Sequence, residues 1–242
     1  MIVSDPENVN AVFSWGDIHL RQSEDVLKVG TDAILLGSWV SKQAIVPRHT
    51  LDVGTGTGIL ALMLAQIYPD GKIDAIDIHP EAVRLAAENF SQSKWNDRLV
   101  SRHEDVLQFN SSGTLYDLII INPPYYTTDH LASHDHSRKL SRHSLDTHVA
   151  WMAGLCQRLN PGGEIRMVLP YAQSGNWIMA ANQFQLYAVE RVDVFSFEKD
   201  MEPKRTLLCF RNELRKPVIT QLIMYEAVGE MKEEYKNMIS IG

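Results

Sequence analysis

Residues 49–58 read His49-Thr50-Leu51-Asp52-Val53-Gly54-Thr55-Gly56-Thr57-Gly58, a short apolar strand that runs into three alternating glycines. The residues behind it, Ile59 to Ile67, are almost wholly apolar and predict a helix, which Pro69-Asp70-Gly71 ends. Glycine is needed where a chain bends with positive φ or where a ligand meets the main chain. The helix start adds backbone N–H groups that have no partner within the helix. A glycine bend alone also fits nicotinamide and flavin cofactors. Two features narrow the choice. The spacing is Gly-x-Gly-x-Gly, not the Gly-x-Gly-x-x-Gly that cradles a pyrophosphate. Asp52 stands just before the bend, where it repels an anion and suits a cation or an amine. Asp77 ends the next strand, Lys72 to Ile78, where a carboxylate can accept both hydroxyls of a ribose. S-adenosylmethionine has a ribose, a sulfonium and an ammonium but no phosphate, so it fits this acid-flanked bend better than a dinucleotide.

Outward from the bend, strands alternate with helices. Strands are expected at Leu99 to His103, Tyr116 to Ile121 and Glu164 to Leu169, and over 188–197 and 205–211. Helices are expected from Pro80 to Ser93, from Ser144 to Leu159 and over 174–184 and 228–238, with Asn160-Pro161-Gly162-Gly163 as a closing turn. This alternation predicts an α/β fold, a mostly parallel sheet with helices on both faces. Before the bend, Val12 to Leu20 suggests one or two short strands. Asp32 to Val40 suggests a helix capped by Thr31 or Asp32. Residues 1–47 are read as an extension that closes over the cofactor, and 48–242 as the main domain, together one structural unit.

The chain has 242 residues, 45% of them apolar and 22% charged, with a net charge of −7. That balance suits a globular protein and counts against coating nucleic acid by bulk electrostatics, though a local basic surface is still allowed. Cys156 and Cys209 lack metal-type spacing and read as core residues of a reducing compartment. No basic segment with an apolar run opens the chain, and no apolar stretch is long enough to span a membrane. A soluble, cytoplasmic protein without membrane contact is expected.

The strand Tyr116 to Ile121 stops at Asn122-Pro123-Pro124-Tyr125. Prolines fix φ and remove N–H donors, so this corner presents carbonyls, at the sheet edge where ligands bind in open α/β folds. An aromatic amine needs such a corner. Its lone pair is delocalised into the ring, and it is a poor nucleophile. The Asn122 side-chain oxygen and the Pro123 carbonyl can accept its two hydrogens and favour a pyramidal nitrogen, which attacks the sulfonium methyl in line. Catalysis is then positioning plus local electrostatics, without a metal. Tyr125 can stack on a flat, extruded base.

Over roughly residues 48–170 these features resemble the class I methyltransferases. The resemblance implies a Rossmann-like, seven-stranded sheet whose last strand is antiparallel. It implies that Gly54, Gly56 and Gly58, behind Asp52, line the methionine moiety, that Asp77 holds the ribose hydroxyls and that Ile78 packs on the adenine. Asp105 would accept from the adenine amino group, with Val106 flanking the ring. Asn122-Pro123-Pro124-Tyr125 resembles the motif of amino methyltransferases acting on adenine, cytosine, guanine or a glutamine amide.

A finer likeness extends over nearly the whole chain. Lys28-Val29-Gly30-Thr31-Asp32 through Trp39, and His136 through His143, resemble segments of the bacterial methyltransferases that modify valine tRNA at N6 of the adenosine just 3′ of the anticodon. That family implies that Lys28, Gly30 and Thr31 close over the cofactor and that a tRNA anticodon loop is the partner of a monomeric enzyme. Arg138, Lys139 and Arg142 lie in a histidine-rich stretch with one acid between His130 and His143, and read with Tyr125 as an RNA surface, Arg142 ordering the loop over the target base. Six basic residues face three acids between Lys199 and Lys216, a second such stretch. The histidine group is read as loop and not as a metal site. The alternatives are a glutamine-amide methyltransferase of release factors, which carries a sizeable helical N-terminal domain, and a DNA adenine or ribosomal RNA amino methyltransferase.

Overall fold

Two helices, α1 (Thr31–Ser41) and α2 (Ile59–Ile67), are apolar almost all round. The run Ala33 to Val40 and the run Ile59 to Ala65 are buried without a break, as befits core helices rather than surface ones. In the computed structural model, which describes residues 12–24, 26, 28–108, 113–123 and 137–240 (the backbone alone for 137–145), they lie against one face of a large sheet. Its strands are β3 (His49–Val53), β4 (Lys72–Asp77), β5 (Leu99–His103), β6 (Tyr116–Ile121), β7 (Leu159–Pro170), β8 (Tyr187–Phe197), β9 (Arg205–Arg211), β10 (Val218–Ala227) and β11 (Glu230–Met231). A separate hairpin, β1 (Val12–Trp15) and β2 (Ile18–Arg21), precedes them.

The order across the large sheet is β11-β10-β8-β9-β7-β6-β3-β4-β5. Strands β3 to β7 pair in parallel, and β9 runs antiparallel to both β7 and β8. The seven strands β3 to β9 are therefore the expected sheet, with its last strand reversed. The described sheet has nine strands, because β10 adds to the edge in parallel with β8 and β11 follows as a hairpin. The expected terminal helix over 228–238 is corrected accordingly. Val228-Gly229 turns β10 into β11, and the helix α6 is Glu233–Ile239.

The opposite face of the sheet is covered by α4 (Ser137–Cys156) and α5 (Ser174–Asn182). Their side of the core holds Ile119, Ile121, Met152, Leu155, Met167 and Trp177. Each such aliphatic side chain contributes roughly 1.5–3 kcal/mol by leaving water. Helix α3 (Pro80–Ser91), with Pro80 in its first turn as expected, packs on β4 and β5. Helix α4 begins at Ser137, so the stretch from 137 to 143 is helical and not loop. Asn160-Pro161-Gly162-Gly163 is an excursion within β7. Tyr116 faces Leu159, yet Leu118 faces Glu164, so these residues bulge out of the pairing. The cap of α1 is Gly30 rather than Thr31 or Asp32, and Asp32 instead pairs with Arg205. Cys209 is buried and Cys156 half-buried, both as free thiols. Among the described residues no helix is long and apolar enough to cross a membrane.

Candidate active site

The order of strands reverses at β3, with β4 on one side and β6 on the other. At such a switch point the loops leave in opposite directions and open a crevice at the strands' carboxyl ends. The glycine bend fills the first part of that edge. Gly54, Gly56 and Gly58 hold φ of 73°, 54° and 85°, which a side-chain-bearing residue adopts only with strain. Gly54 and Thr55 N–H both donate to the Ile76 carbonyl, at 2.9 and 3.1 Å. Asp77 fixes the bend from the next strand, accepting from Gly56 N–H and His79 N–H at 3.0 Å each. Asn89 on α3 stitches the bend to the N-terminal hairpin, donating to the Thr57 and Arg21 carbonyls and accepting from Arg21 N–H.

Above the bend lies a cavity of about 340 Å³. Gly54, Thr55, Gly56 and Thr57 form its base, and Asp77, Ile78 and His79 one side. Val26, Lys28, Val29, Gly30 and Ala33 reach over it from the N-terminal segment. Glu104, Val106, Asn122 and Trp151 also line it. The bend and Asn122, more than sixty residues apart in sequence, thus share one cavity. Asp77 is nearly buried, while the side chain of Ile78 stands open in the cavity wall. A carboxylate at a strand end beside an open aliphatic face matches a ribose followed by a flat base. The described wall carries one lysine, Lys28, and one histidine, His79, far short of the basic lining of a polyphosphate site.

Four of the residues expected at the cofactor lie elsewhere. Asp52 sits wholly buried beneath the bend and takes a 2.6 Å hydrogen bond from the Thr55 hydroxyl. Burial pushes its carboxyl up to about 7, against the pull of the Thr55 hydroxyl and the Ala61 backbone, with the nearby Asp77 charge adding to the rise. It therefore shapes the bend rather than facing the cavity. Gly58 is a packing glycine, since a Cβ there would lie 2.5 Å from the Phe90 ring. Thr31 opens α1 behind Gly30 and is not in the wall. Asp105 is not in it either. Its Oδ1 accepts from Leu107 N–H at 2.9 Å and so caps the turn after β5, while Glu104 takes the place in the cavity.

Of the catalytic corner, Asn122 is half-buried on the wall and Pro123 is buried. Pro124, Tyr125 and Tyr126 lie outside the described residues, and so do the side chains of Arg138, Lys139 and Arg142 on α4. The second basic stretch is partly spent on structure, with Arg205 on Asp32 and Arg211 on Glu164. Sequence reasoning missed Val26, Val29, Ala33, Glu104 and Trp151. The acidic pair Glu104-Asp105 after β5 was visible, but which of the two faces the cavity depends on the turn. Trp151 gives no local signal, because its role follows from how α4 docks. Among the described residues no group of side chains is arranged to hold a metal ion.

Fold and site together define a methyltransferase. The model of the methyltransferase small domain family matches residues 22–196. The tRNA1(Val) (adenine(37)-N6)-methyltransferase of Phocaeicola vulgatus is 34% identical over 227 residues, covering 93% of this chain and 94% of the relative. The chain belongs to the tRNA1(Val) (adenine(37)-N6)-methyltransferase family, within the methyltransferase small domain class. Among solved structures, a predicted O-methyltransferase of Agrobacterium tumefaciens superposes with a TM-score of 0.69 at 15% identity, covering 86% of this chain and 95% of that one. The N-methyltransferase NodS of Bradyrhizobium japonicum, solved with S-adenosyl-L-homocysteine, superposes at 0.51 with 20% identity, covering 75% of this chain and 84% of that one. These two show the shared fold.

Proposed function

We propose that this chain transfers the methyl group of S-adenosylmethionine to N6 of adenine 37 in tRNA1(Val), the reaction for which its relatives are named. The observation that carries the reading is the single cavity whose wall holds the glycine bend, Asp77 and Asn122. S-adenosylmethionine supplies an electrophilic methyl carbon when bound. Asp77 is placed for the ribose hydroxyls, Gly54 and Gly56 for the methionine part, and Ile78 and Val106 for the two faces of the adenine. Lys28 and Gly30 close over it, and the presence of Val26, Lys28, Val29, Gly30 and Ala33 in the wall supports that role for the N-terminal extension.

Asn122 and Pro123 receive the target amine. Their oxygens accept its two hydrogens and leave its lone pair directed into the cavity. Tyr125 is assigned to stacking on the base, with Pro124 stiffening the corner. Arg138, Lys139 and Arg142 are assigned to the RNA surface, with Arg142 ordering the loop over the target base; they follow the corner on α4, the helix that also brings Trp151 to the cavity. The described N-terminal part is a β-hairpin and one helix, unlike the helical domain expected of a release-factor methyltransferase. A tRNA substrate implies a cytoplasmic enzyme, here acting as a monomer and without a metal.

The test is incubation with labelled S-adenosylmethionine and, in parallel, tRNA, duplex DNA or release factor, followed by digestion. Labelled N6-methyladenosine from tRNA is the expected product. Labelled N4-methylcytidine or methylglutamine would overturn the assignment.

A further inference from the structure

Helix α1 starts in the cavity wall, and its start is weakly fastened. Residues 28–33 run into it, and Lys28, Val29, Gly30 and Ala33 all line the cavity. The cap, Gly30, has the extended backbone usual at that position, φ −104° and ψ 165°, but no side chain to bond the first N–H groups of the helix. From Ala33 to Val40 the helix is held by burial in the core. Its first turn is not, since Gly30 and Thr31 are exposed and Asp32 is half-buried. Asp32 is engaged 173 residues further along the chain, where both its oxygens accept from Arg205 Nε at 2.9 Å each. Arg205 is a firm anchor. It opens β9, an interior strand, and faces Pro170 of β7 and Val194 of β8. Lys204 N–H beside it donates to the Val194 carbonyl at 2.7 Å, and the Lys204 carbonyl accepts from Tyr171 N–H at 3.3 Å and from Arg205 Nη1 at 3.1 Å. An ion pair between two mobile surface side chains contributes little. This one ties a strand paired on both sides to the first turn of a helix, where the helix dipole also favours an acid.

We propose that Asp32 and Arg205 form a latch that keeps the first turn of α1 folded against the cavity and so sets how fast the cofactor and its product leave. The inference rests on the S-adenosylmethionine reading of the cavity. When the latch parts, the first turn unwinds readily, because its cap supplies no side-chain bond. The unwinding carries Lys28, Val29 and Gly30 off the ligand, a local opening that leaves the buried part of α1 in place. Neither Asp32 nor Arg205 lines the cavity, so both are positioning residues that act through residues 28–30.

Stopped-flow binding of S-adenosylhomocysteine to the full chain tests this. Tryptophan fluorescence follows the binding, since Trp151 lines the cavity. The observed rate against ligand concentration gives the on-rate as its slope and the off-rate as its intercept. Asp32→Asn and Arg205→Met should each raise the off-rate roughly three- to tenfold, the effect of losing one hydrogen-bonded contact net of solvation. The on-rate should stay within about twofold of wild type, because the latch acts on the closed state. Arg205→Lys keeps the charge and should give an off-rate between wild type and Arg205→Met. The double variant, Asp32→Asn with Arg205→Met, should be no faster than either single variant, because both lose the same contact. If Arg205→Met does not fold, Asp32→Asn and Arg205→Lys carry the test. Wild-type off-rates in the variants would overturn the latch, and so would an effect confined to one of the two residues or effects that multiply in the double variant. A wild type that does not bind S-adenosylhomocysteine would overturn the cofactor reading and the latch with it, whereas binding with unaltered off-rates overturns the latch alone.

Discussion

Two of the places where the described sheet buries acidic side chains are built in opposite ways. On β7, β8 and β9, Arg166 is fully buried between Glu164 and Glu190, with Arg211 on the far oxygen of Glu164 and the Trp39 ring 4.3 Å from the Arg166 guanidinium. Every charge there has an opposite partner. At the carboxyl ends of β3 and β4, Asp52 and Asp77 are buried with no cation paired to either among the described residues. Both engage only hydroxyl and backbone N–H donors. Paired charge in a core is compatible with a purely structural role, and breaking the pair is costly. Of the two carboxylates without a cation, Asp77 stands in the cavity wall and is available to a ligand, while Asp52 shapes the bend beneath it. The contrast separates scaffold from site without reference to motif.

The largest effect that tests the contrast falls on the scaffold. Glu164→Ala strands Arg166 and Arg211 on the same side and should cost about 3–5 kcal/mol in urea denaturation. Affinity for S-adenosylhomocysteine, measured where the variant is still folded, should change less than about twofold. A large loss of affinity would show that the cluster serves the site after all. Asp77→Asn should behave in the reverse way. Loss of the charged acceptor should weaken S-adenosylhomocysteine by roughly 10- to 100-fold in titration calorimetry, with a smaller loss of stability in urea than Glu164→Ala, because the single amide oxygen keeps only one of the two backbone donors, Gly56 N–H or His79 N–H.

The smallest effect comes from Asp52. Its carboxyl titrates at about 7 in the folded chain, against an ordinary 3.8. The folded state therefore holds the proton more tightly than the unfolded state does. The resulting stability is complete below about 3.8 and is lost as pH rises through about 7. Asp52→Asn has no proton to lose. Thermal unfolding between pH 5 and pH 8 should show a shallower decline in Tm for the variant, with Tm at pH 8 above wild type by roughly a few degrees. A wild-type slope in the variant would place the titration elsewhere.

Sequence alone disclosed the cofactor half of the sheet better than the far half, and the reason is local. His49–Val53, Ile59–Ile67, Leu99–His103 and Tyr116–Ile121 all have the bounds expected of them, because glycines, prolines and sharp polarity changes mark their ends. Strand β10 was invisible. Its first four residues are exposed, only Leu222 and Met224 enter the core, and its parallel partner β8 lies far back in the chain. Its burial alternation is confined to Leu222–Tyr225, too short a stretch to read as a strand. Of the residues named from the sequence, Gly54, Gly56, Asp77, Ile78, Val106 and Asn122 line the cavity, because strand ends and glycine spacing bring them to that edge. Glu104 was not, since neighbouring carboxylates exchange roles with a single turn of the backbone. Arg158, whose guanidinium donates to the Glu104 carboxylate at 2.8 Å, lies fifty-four residues beyond it, and no local pattern links them. Asp52 was located correctly but aimed wrongly, because its burial depends on α2 packing over it.

The central claim is that Asn122 acts on the target amine and not on the fold of the cavity. Single-turnover methyl transfer to tRNA by Asn122→Ala, read beside calorimetric titration of S-adenosylhomocysteine into the same preparation, tests it most directly. Transfer should fall by roughly 100- to 1,000-fold or more, the loss expected for one group that stabilises a transition state, while the cofactor product still binds. Transfer at the wild-type rate would contradict the account.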